Sequence, residues 1–490
     1  MSADDIRGER LKKLEAIKQA GIEPYPAESH RTTTNKIFLE NFSNLMNTKE
    51  NVVLGGRIRS LRNQGGLIFI DLDDGTARIQ AILKKDELGE ESFNQFLNFM
   101  STGDFVEVSG TAFVTKRGVN SILAQNWHLT AKSLQQIPDE WFGLKDEDER
   151  FRKRYLDMLL NKETVDLIKK RSVFWNTIRN YMLERGYVEV ETPILETKTG
   201  GAEARPFITH HNALDMDVYL RISHELWHKK LIIGGLPKVF EIGRVFRNEG
   251  MSHEHAQDYT HFEFYEAYLD ARKGVPMLID LYRTVAKETF GTLKFKIGEH
   301  EVDLEPEWKN LDFNELMQKH YGFNSLEVDM SKNSGLELIK KYHDSNYNGD
   351  ITETGRAVDF LWKKIRKTLS GPAILTGIPV YLEPLAKRNK DDKRVVDRFQ
   401  IILGGSEVGK AFNELNDPQD QLERFEEQQA LRDAGDDEAQ MADFDYVEAM
   451  EYGMPPTFGF GVSERLFSFL AGKSIRETQI FPLMKPKNKH

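Results

Sequence analysis

Two arginines stand where an arginine is costly. Arg247 follows the strand-like run "KVFEIGRVF", and Arg465 follows the glycine-bearing run "TFGFGVSE". A guanidinium at the margin of a sheet demands an anion, and its planar fork suits phosphate or carboxylate. Gly459 and Gly461 leave room beside Arg465 for a close backbone approach. Two such arginines suit a polyphosphate held in a cleft. Glu249, Glu407 and Glu414 suit the complementary task of holding a divalent cation or a cationic substrate. Each has a structural alternative, an Arg–Glu ion pair buried inside a sheet domain. His253 and His255 stand at i and i+2, which is not the usual zinc spacing. The run "GGSEVGK" lacks the spacing of a phosphate-binding loop, and no dinucleotide fingerprint follows any predicted strand.

The elements that must position these groups are legible around them. From Gly243 to Tyr268 the text reads strand, charged loop, strand, so Arg247, Glu249, His255 and Glu263 lie on or between two strands. Upstream, a helix is predicted over about Val165 to Arg185, with Leu167, Phe174, Ile178 and Tyr181 on one face and Gly186 ending it. The strand "YVEVETPIL" follows. Between about Gly274 and Ser370 the pattern is mostly helical, and strands return after it. The run "LAKRNKDDKR" reads as a solvated loop. At the other end, the opening residues form an amphipathic helix stopped by Gly21. From about Asn51 to Ala131 short alternating strands succeed one another, and Asp73-Asp74-Gly75 marks a hairpin. Four or five strands in that length favour a small barrel of OB-fold size over a sandwich. The charged stretch "QQIPDEWFGLKDEDERFRKRYLDMLLN" is the predicted linker.

Composition narrows the class. A chain of 490 residues exceeds one hydrophobic core, so two or three domains are expected. No stretch has the apolar length to cross a bilayer, and the charged N-terminus has no apolar signal core. The absence of cysteine removes disulfides, thiolate nucleophiles and Cys-type zinc sites, and fits a cytoplasmic protein. A net charge of −11 excludes bulk polyanion binding but leaves local basic patches able to meet nucleic acid.

Three stretches, in one order, carry a resemblance. "GYVEVETPIL", "FRNEG…H…DYTHFEFY" and "GFGVSERLFSFLAGKSIRETQIFP" resemble motifs 1, 2 and 3 of the class II aminoacyl-tRNA synthetases. With a small barrel ahead of them, the chain resembles the subclass that charges lysine, aspartate and asparagine. Within it, "TKTGGAEARPFITHHNALDMDVYLRIS", "ELNDPQDQLERF" and "IFPLMKP" resemble the lysyl-tRNA synthetases of bacterial type, over essentially the whole chain. The resemblance implies an α+β fold: an N-terminal OB-fold β-barrel, then a class II catalytic domain on an antiparallel sheet flanked by helices. The expected divisions are 1–140 for the N-terminal helix and anticodon-binding barrel, and 141–490 for the catalytic domain with a helical insertion at about 274–345. The implied activity is that of a ligase. L-lysine is activated with ATP to lysyl-adenylate, pyrophosphate leaves, and lysine passes to the 3′ end of tRNA(Lys). Mg²⁺, a homodimer built on motif 1, a cytoplasmic location and no membrane go with it. The rival readings are a related ligase for another amino acid and a non-catalytic tRNA-binding paralogue.

Roles carry over residue by residue. The resemblance implies that Arg247 meets the α-phosphate and the substrate carboxylate, and that Arg465 and His255 meet the β- and γ-phosphates. Arg247 and Arg465 are thus the expected catalytic pair. Glu249 bonds the adenine amino group, Tyr259 stacks on the ring, and Glu407 completes the ATP site and holds the metal with position 400. Glu225 and the backbone of Gly201 meet the substrate α-amino group, and Glu263, Tyr265 and Glu414 meet the ε-ammonium. In the barrel, Phe69 stacks on an anticodon base, Gln80 reaches base edges, and Arg57 and Arg59 bind phosphates. Ile68 and Ile70 alternate with Phe69, so one set must face outward. The chain departs from the family at several points. Gln400 stands where a metal-binding glutamate is usual, and a neutral amide is a poorer Mg²⁺ ligand. Lys410 replaces an asparagine near the substrate carboxylate, and Val119 replaces a barrel glutamate. The glycines before Arg465 are respaced, with Val462 nearer the arginine, and "DYT" replaces "EFT".

Overall fold

A computed structural model describes residues 3–138, 144, 146–248, 250, 255–330, 334–349, 351–433 and 439–487. The chain divides into two compact units, Met1–Arg150 and Phe151–His490.

In the first unit five strands close into a barrel in the order β1-β2-β3-β5-β4. They are β1 (Val52–Asn63), β2 (Leu67–Asp73), β3 (Arg78–Lys84), β4 (Phe105–Val114) and β5 (Asn120–Ala131). All pairings are antiparallel except β3 with β5. The two-residue alternation of the strands decides the inside: Leu54, Ile58, Ile68, Ile70, Leu72 and Val108 are wholly buried. Phe38 and Phe42 from two short helices, and Phe93 and Phe96 from the helix Glu90–Phe99, close the same core. The hairpin forms at Asp73-Asp74-Gly75, where Gly75 takes φ +82 and Asp74 accepts the amides of Asn35, Thr76 and Ala77.

The second unit is built on eight strands: β6 (Val188–Glu189), β7 (Lys238–Phe246), β8 (Asp258–Ala267), β9 (Lys309–Asp312), β10 (Ala373–Thr376), β11 (Arg398–Leu403), β12 (Ser406–Asn413) and β13 (Thr457–Ser463). Their order across the sheet is β9-β10-β11-β12-β13-β8-β7-β6. The five central pairings are antiparallel, but β9–β10 and β7–β6 are parallel, so the expected antiparallel sheet is a mixed one. The outermost strands are short, and each reaches the sheet through a connection long enough to reverse its direction. One face packs against the helices Lys162–Leu183 and Ala271–Phe290: Phe174, Ile178 and Tyr181 from the first and Leu278, Leu281 and Tyr282 from the second meet Phe262, Phe264, Phe458 and Phe460 from the sheet. The 274–345 stretch, expected to be helical, also holds three strands: Lys294–Ile297, His300–Asp303 and β9. They are only four residues each, below the length at which alternation can be read. No described helix is long and apolar enough to cross a membrane.

Candidate active site

The face of the sheet opposite the helices lines a cavity of about 640 Å³. Strand β8 shows why. Its alternation sends Phe262 and Phe264 into the core and Tyr259, His261, Glu263 and Tyr265 to the cavity. On β11 the cavity receives Arg398 and Gln400, and on β13 Gly461 and Ser463. Strand β12 breaks the rule. Its pairing with β11 shifts between Gln400 and Ile402, an irregularity that adds one residue to β12. Glu407 and Lys410 are three apart, a spacing that a regular strand sends to opposite faces. Here both line the cavity, with Lys410 Nζ 3.5 Å from Glu407 Oε1.

One group of cavity residues is acidic. Glu263, at 3% exposure, accepts from Ser223 Oγ at 2.7 Å, from the His224 amide at 3.1 Å and from the Tyr265 hydroxyl at 3.0 Å. Burial alone would raise this carboxyl, but His261 Nε2 at 3.3 Å and the neighbouring His224 outweigh it and hold it well below the usual range. Glu225 opens the helix Glu225–Ile233, and Lys229 lies one turn on. The Lys229 ammonium, wholly buried, stands 2.6 Å from Glu225 and 2.5 Å from Glu414. Burial pushes Glu225 up to about 7 and Glu414 up to about 8, against the opposing charge of Lys229. Two glycines make this crowding possible. Gly201 holds φ +83, and a Cβ there would sit 2.8 Å from the Glu225 Cβ. A Cβ on Gly459 would sit 2.1 Å from Glu414 Oε1 and 2.4 Å from the Tyr265 ring.

A second group is cationic. Arg247 prolongs β7, its amide donating to Gln257 O at 2.8 Å, and its guanidinium lies 5.7 Å from the Tyr259 ring centroid. Its Nε is buried with no hydrogen-bond partner among the described residues, a donor held ready for an anion. Arg465, the first residue of the helix Arg465–Leu470, points Nη1 at the Glu407 carbonyl oxygen at 3.5 Å. The Glu407 carboxylate itself is met by Lys410, by Arg366 at 3.7 Å, by Arg398 at 3.9 Å and by the Gln400 amide. Burial would raise it, yet those cations bring it down to about 2. Arg398 also pairs with Glu383 at 3.3 Å. Among the described residues no cluster of three His, Asp or Glu side chains is arranged to hold a metal ion. Glu407 and Gln400 do not fit a protein-held divalent cation, because the carboxylate is already saturated by positive charge and its neighbour is a neutral amide.

The cavity therefore brings together Gly201, Glu225, Arg247, His255, Tyr259, Glu263, Tyr265, Gln400, Glu407, Lys410 and Arg465. Glu414 lies just beneath it, 1% exposed, touching Lys229. Glu249 and His253 lie outside the described residues. Sequence reasoning missed Lys229, His261, Arg366, Arg398 and Glu383. Of these, Lys229 was signalled by its one-turn spacing from Glu225, and His261 by its alternation with Glu263. In the barrel, Ile68 and Ile70 face inward, so Phe69 takes the outer face, in line with Asp71. Asp71 is the cross-strand partner of Gln80, whose carbonyl accepts from Ser121 Oγ at 3.2 Å. Arg57 stacks on Phe105 at 4.2 Å and donates to Gly103 O at 3.1 Å, and Arg59 lies 4.0 Å from Asp73. Val119 is exposed.

Comparison with known proteins agrees with both units. Residues 52–135 match the OB-fold nucleic acid binding domain, and residues 146–485 match the class II tRNA synthetases (D, K and N). The chain is 39% identical to the lysine–tRNA ligase of Thermotoga maritima over 99% of its length and 96% of the relative's. It is 41% identical to that of Halalkalibacterium halodurans over 100% and 98%, and 40% identical to that of Roseiflexus sp. over the whole of both chains. An OB-fold barrel, a mixed sheet carrying arginines and buried acids on one face, and full-length likeness of this degree lead to one conclusion: the chain belongs to the class II tRNA synthetases of the D, K and N family.

Proposed function

We propose that the chain is a lysine–tRNA ligase. The observation that carries the reading is the make-up of one cavity, where buried acids that suit an ammonium share a wall with arginines that suit phosphate and carboxylate. An aspartate ligase needs cations for its substrate side chain, and Glu225, Glu263 and Glu414 argue against that. In the first step a carboxylate oxygen of lysine attacks the α-phosphorus of ATP. The bond to the bridging oxygen breaks, and pyrophosphate leaves with the electron pair. Negative charge builds on the α-phosphoryl oxygens, and Arg247, whose Nε has no partner among the described residues, is the group assigned to stabilise it. Arg465 and His255 are assigned to the β- and γ-phosphates, Tyr259 to the adenine ring, and Glu249 to its amino group. Glu263, Tyr265 and Glu414 take the ε-ammonium, and Glu225 with Gly201 takes the α-amino group. The substrates supply nucleophile and leaving group, so positioning and charge stabilisation are the protein's tasks. In the second step a terminal ribose hydroxyl of tRNA(Lys) attacks the acyl carbon and AMP leaves.

Mg²⁺ enters with ATP, the phosphates being its ligands. The barrel is assigned to the anticodon, with Phe69 stacking a base, Gln80 reading an edge, and Arg57 and Arg59 near phosphates. We further infer a cytoplasmic homodimer. Exposed Val188, Ile194 and Leu195 on the motif 1 segment, with Ile208 and Leu214 beyond it, support an interface there. Incubation with ATP, labelled lysine and a tRNA bearing a lysine anticodon tests the reading. Acid-precipitable lysyl-tRNA is expected. Charging of a different amino acid, or of none, overturns it.

A further inference from the structure

The surroundings of Glu407 have the wrong sign for a metal site. Arg366, Arg398 and Lys410 lie within ion-pair distance of its carboxylate, and Arg465 reaches its carbonyl oxygen. Glu383 touches this group through Arg398. Glu203 also lies within electrostatic range of Lys410, but among the described residues the groups in direct contact with Glu407 are all cationic or neutral. A divalent ion bound at Glu407 would have to displace these partners or sit among them, and like charges at that range repel strongly. Gln400 offers no compensating charge: its amide nitrogen is turned to Glu407, while its buried carbonyl oxygen has no hydrogen-bond partner among the described residues. The Lys410 side chain is 45% exposed, so its ammonium can swing from Glu407 towards a bound ligand.

We propose that this chain uses Lys410, with Arg366 and Arg398, as built-in cations for the ATP triphosphate, and that the bound nucleotide consequently carries one divalent ion fewer at this end of the site. The proposal rests on the ATP-activating reading above. Lys410 then serves the phosphates rather than the substrate carboxylate, the role its position in the sequence implied. Charged hydrogen bonds of this kind change affinity by roughly 10- to 100-fold.

The test uses the full chain with α,β-methylene-ATP, which cannot be cleaved to the adenylate. First, bound Mn²⁺ per active site is counted by electron paramagnetic resonance at saturating nucleotide. The comparison is between the wild type, Gln400→Glu, and the double variant Gln400→Glu/Lys410→Asn. The double variant is expected to bind one more Mn²⁺ than the wild type, and equal counts overturn the proposal. Second, nucleotide affinity is measured in EDTA. Lys410→Met is expected to weaken metal-free binding by roughly 10- to 100-fold, and unchanged metal-free binding overturns the proposal. If the double variant does not fold, the Gln400→Glu count and the EDTA measurement decide. Nucleotide bound with an unchanged count sinks only this inference. A wild type that binds no nucleotide, with or without metal, sinks the ATP reading as well.

Discussion

Replacing Lys229 by methionine removes an ammonium that stands 2.6 Å from Glu225 and 2.5 Å from Glu414, while keeping most of the stem's volume. All three side chains are at most 5% exposed, so solvent does little to screen the loss. Removing one partner of a buried ion pair costs about 3–5 kcal/mol. That cost needs ionised acids. Burial pushes Glu225 up to about 7 and Glu414 up to about 8, with Lys229 opposing. A carboxyl raised in this way stabilises the fold at low pH, and the contribution is lost as pH rises through its folded value. Without Lys229 the opposing charge is gone and the loss steepens. At pH 5, below those values, the acids carry less charge for the ammonium to pair with, and a near-isosteric swap costs less than about 1.5 kcal/mol. At pH 8.5 the acids are more ionised and the electrostatic cost is larger. The unit Phe151–His490 has 340 residues, whose unfolding entropy is about 0.7 kcal/mol/K at about 2.1 cal/mol/K per residue. The melting temperature of that unit should therefore fall by about 4–7 °C at pH 8.5 and by about 2 °C or less at pH 5. Calorimetry of both proteins at the two pH values measures this. An equal fall at both would show that Lys229 acts through packing, and would refute the charge argument.

Three further outcomes are expected. Arg247→Ala should lower lysine-dependent pyrophosphate exchange roughly 100- to 1000-fold, the usual loss for one preorganised donor to developing charge; a change of only a few-fold would remove it from the reaction. Gly459→Ala drives a methyl into Glu414 and Tyr265, and overpacking of about 1–3 kcal/mol should raise the KM for lysine roughly 5- to 100-fold while leaving the KM for ATP near its original value; equal effects on both would place the strain elsewhere. Phe69→Ala should leave exchange intact and cut tRNA charging by roughly 5- to 100-fold, the worth of one stacked base; unchanged charging would return Phe69 to a purely structural role.

Much of the site was legible because period-two strands separate their faces cleanly. Glu263 and Tyr265 alternate with Phe262 and Phe264, and the core contacts follow that text. The same logic set Phe69 apart from Ile68 and Ile70. What alternation cannot show is where it fails. The irregular pairing of β12 puts Glu407 and Lys410 on one face, a contact that their spacing of three would deny to a regular strand. Arg366 lies on the helix Thr354–Arg366 and Arg398 on β11, so their convergence on Glu407 is a product of tertiary folding between segments far apart in the chain. The parallel pairings of β6 and β9 were hidden for a different reason: two- and four-residue strands carry no periodic signal. The barrel hairpin was the opposite case, since Asp73-Asp74-Gly75 names its own turn.

Pyrophosphate exchange into ATP, run with each of the twenty amino acids in turn, tests most directly the claim that one cavity pairs buried acids for an ammonium side chain with arginines for ATP. The account predicts that lysine supports exchange and that aspartate and asparagine do not. Exchange driven by an acidic or neutral amino acid in preference to lysine, or by none of the twenty, would contradict it.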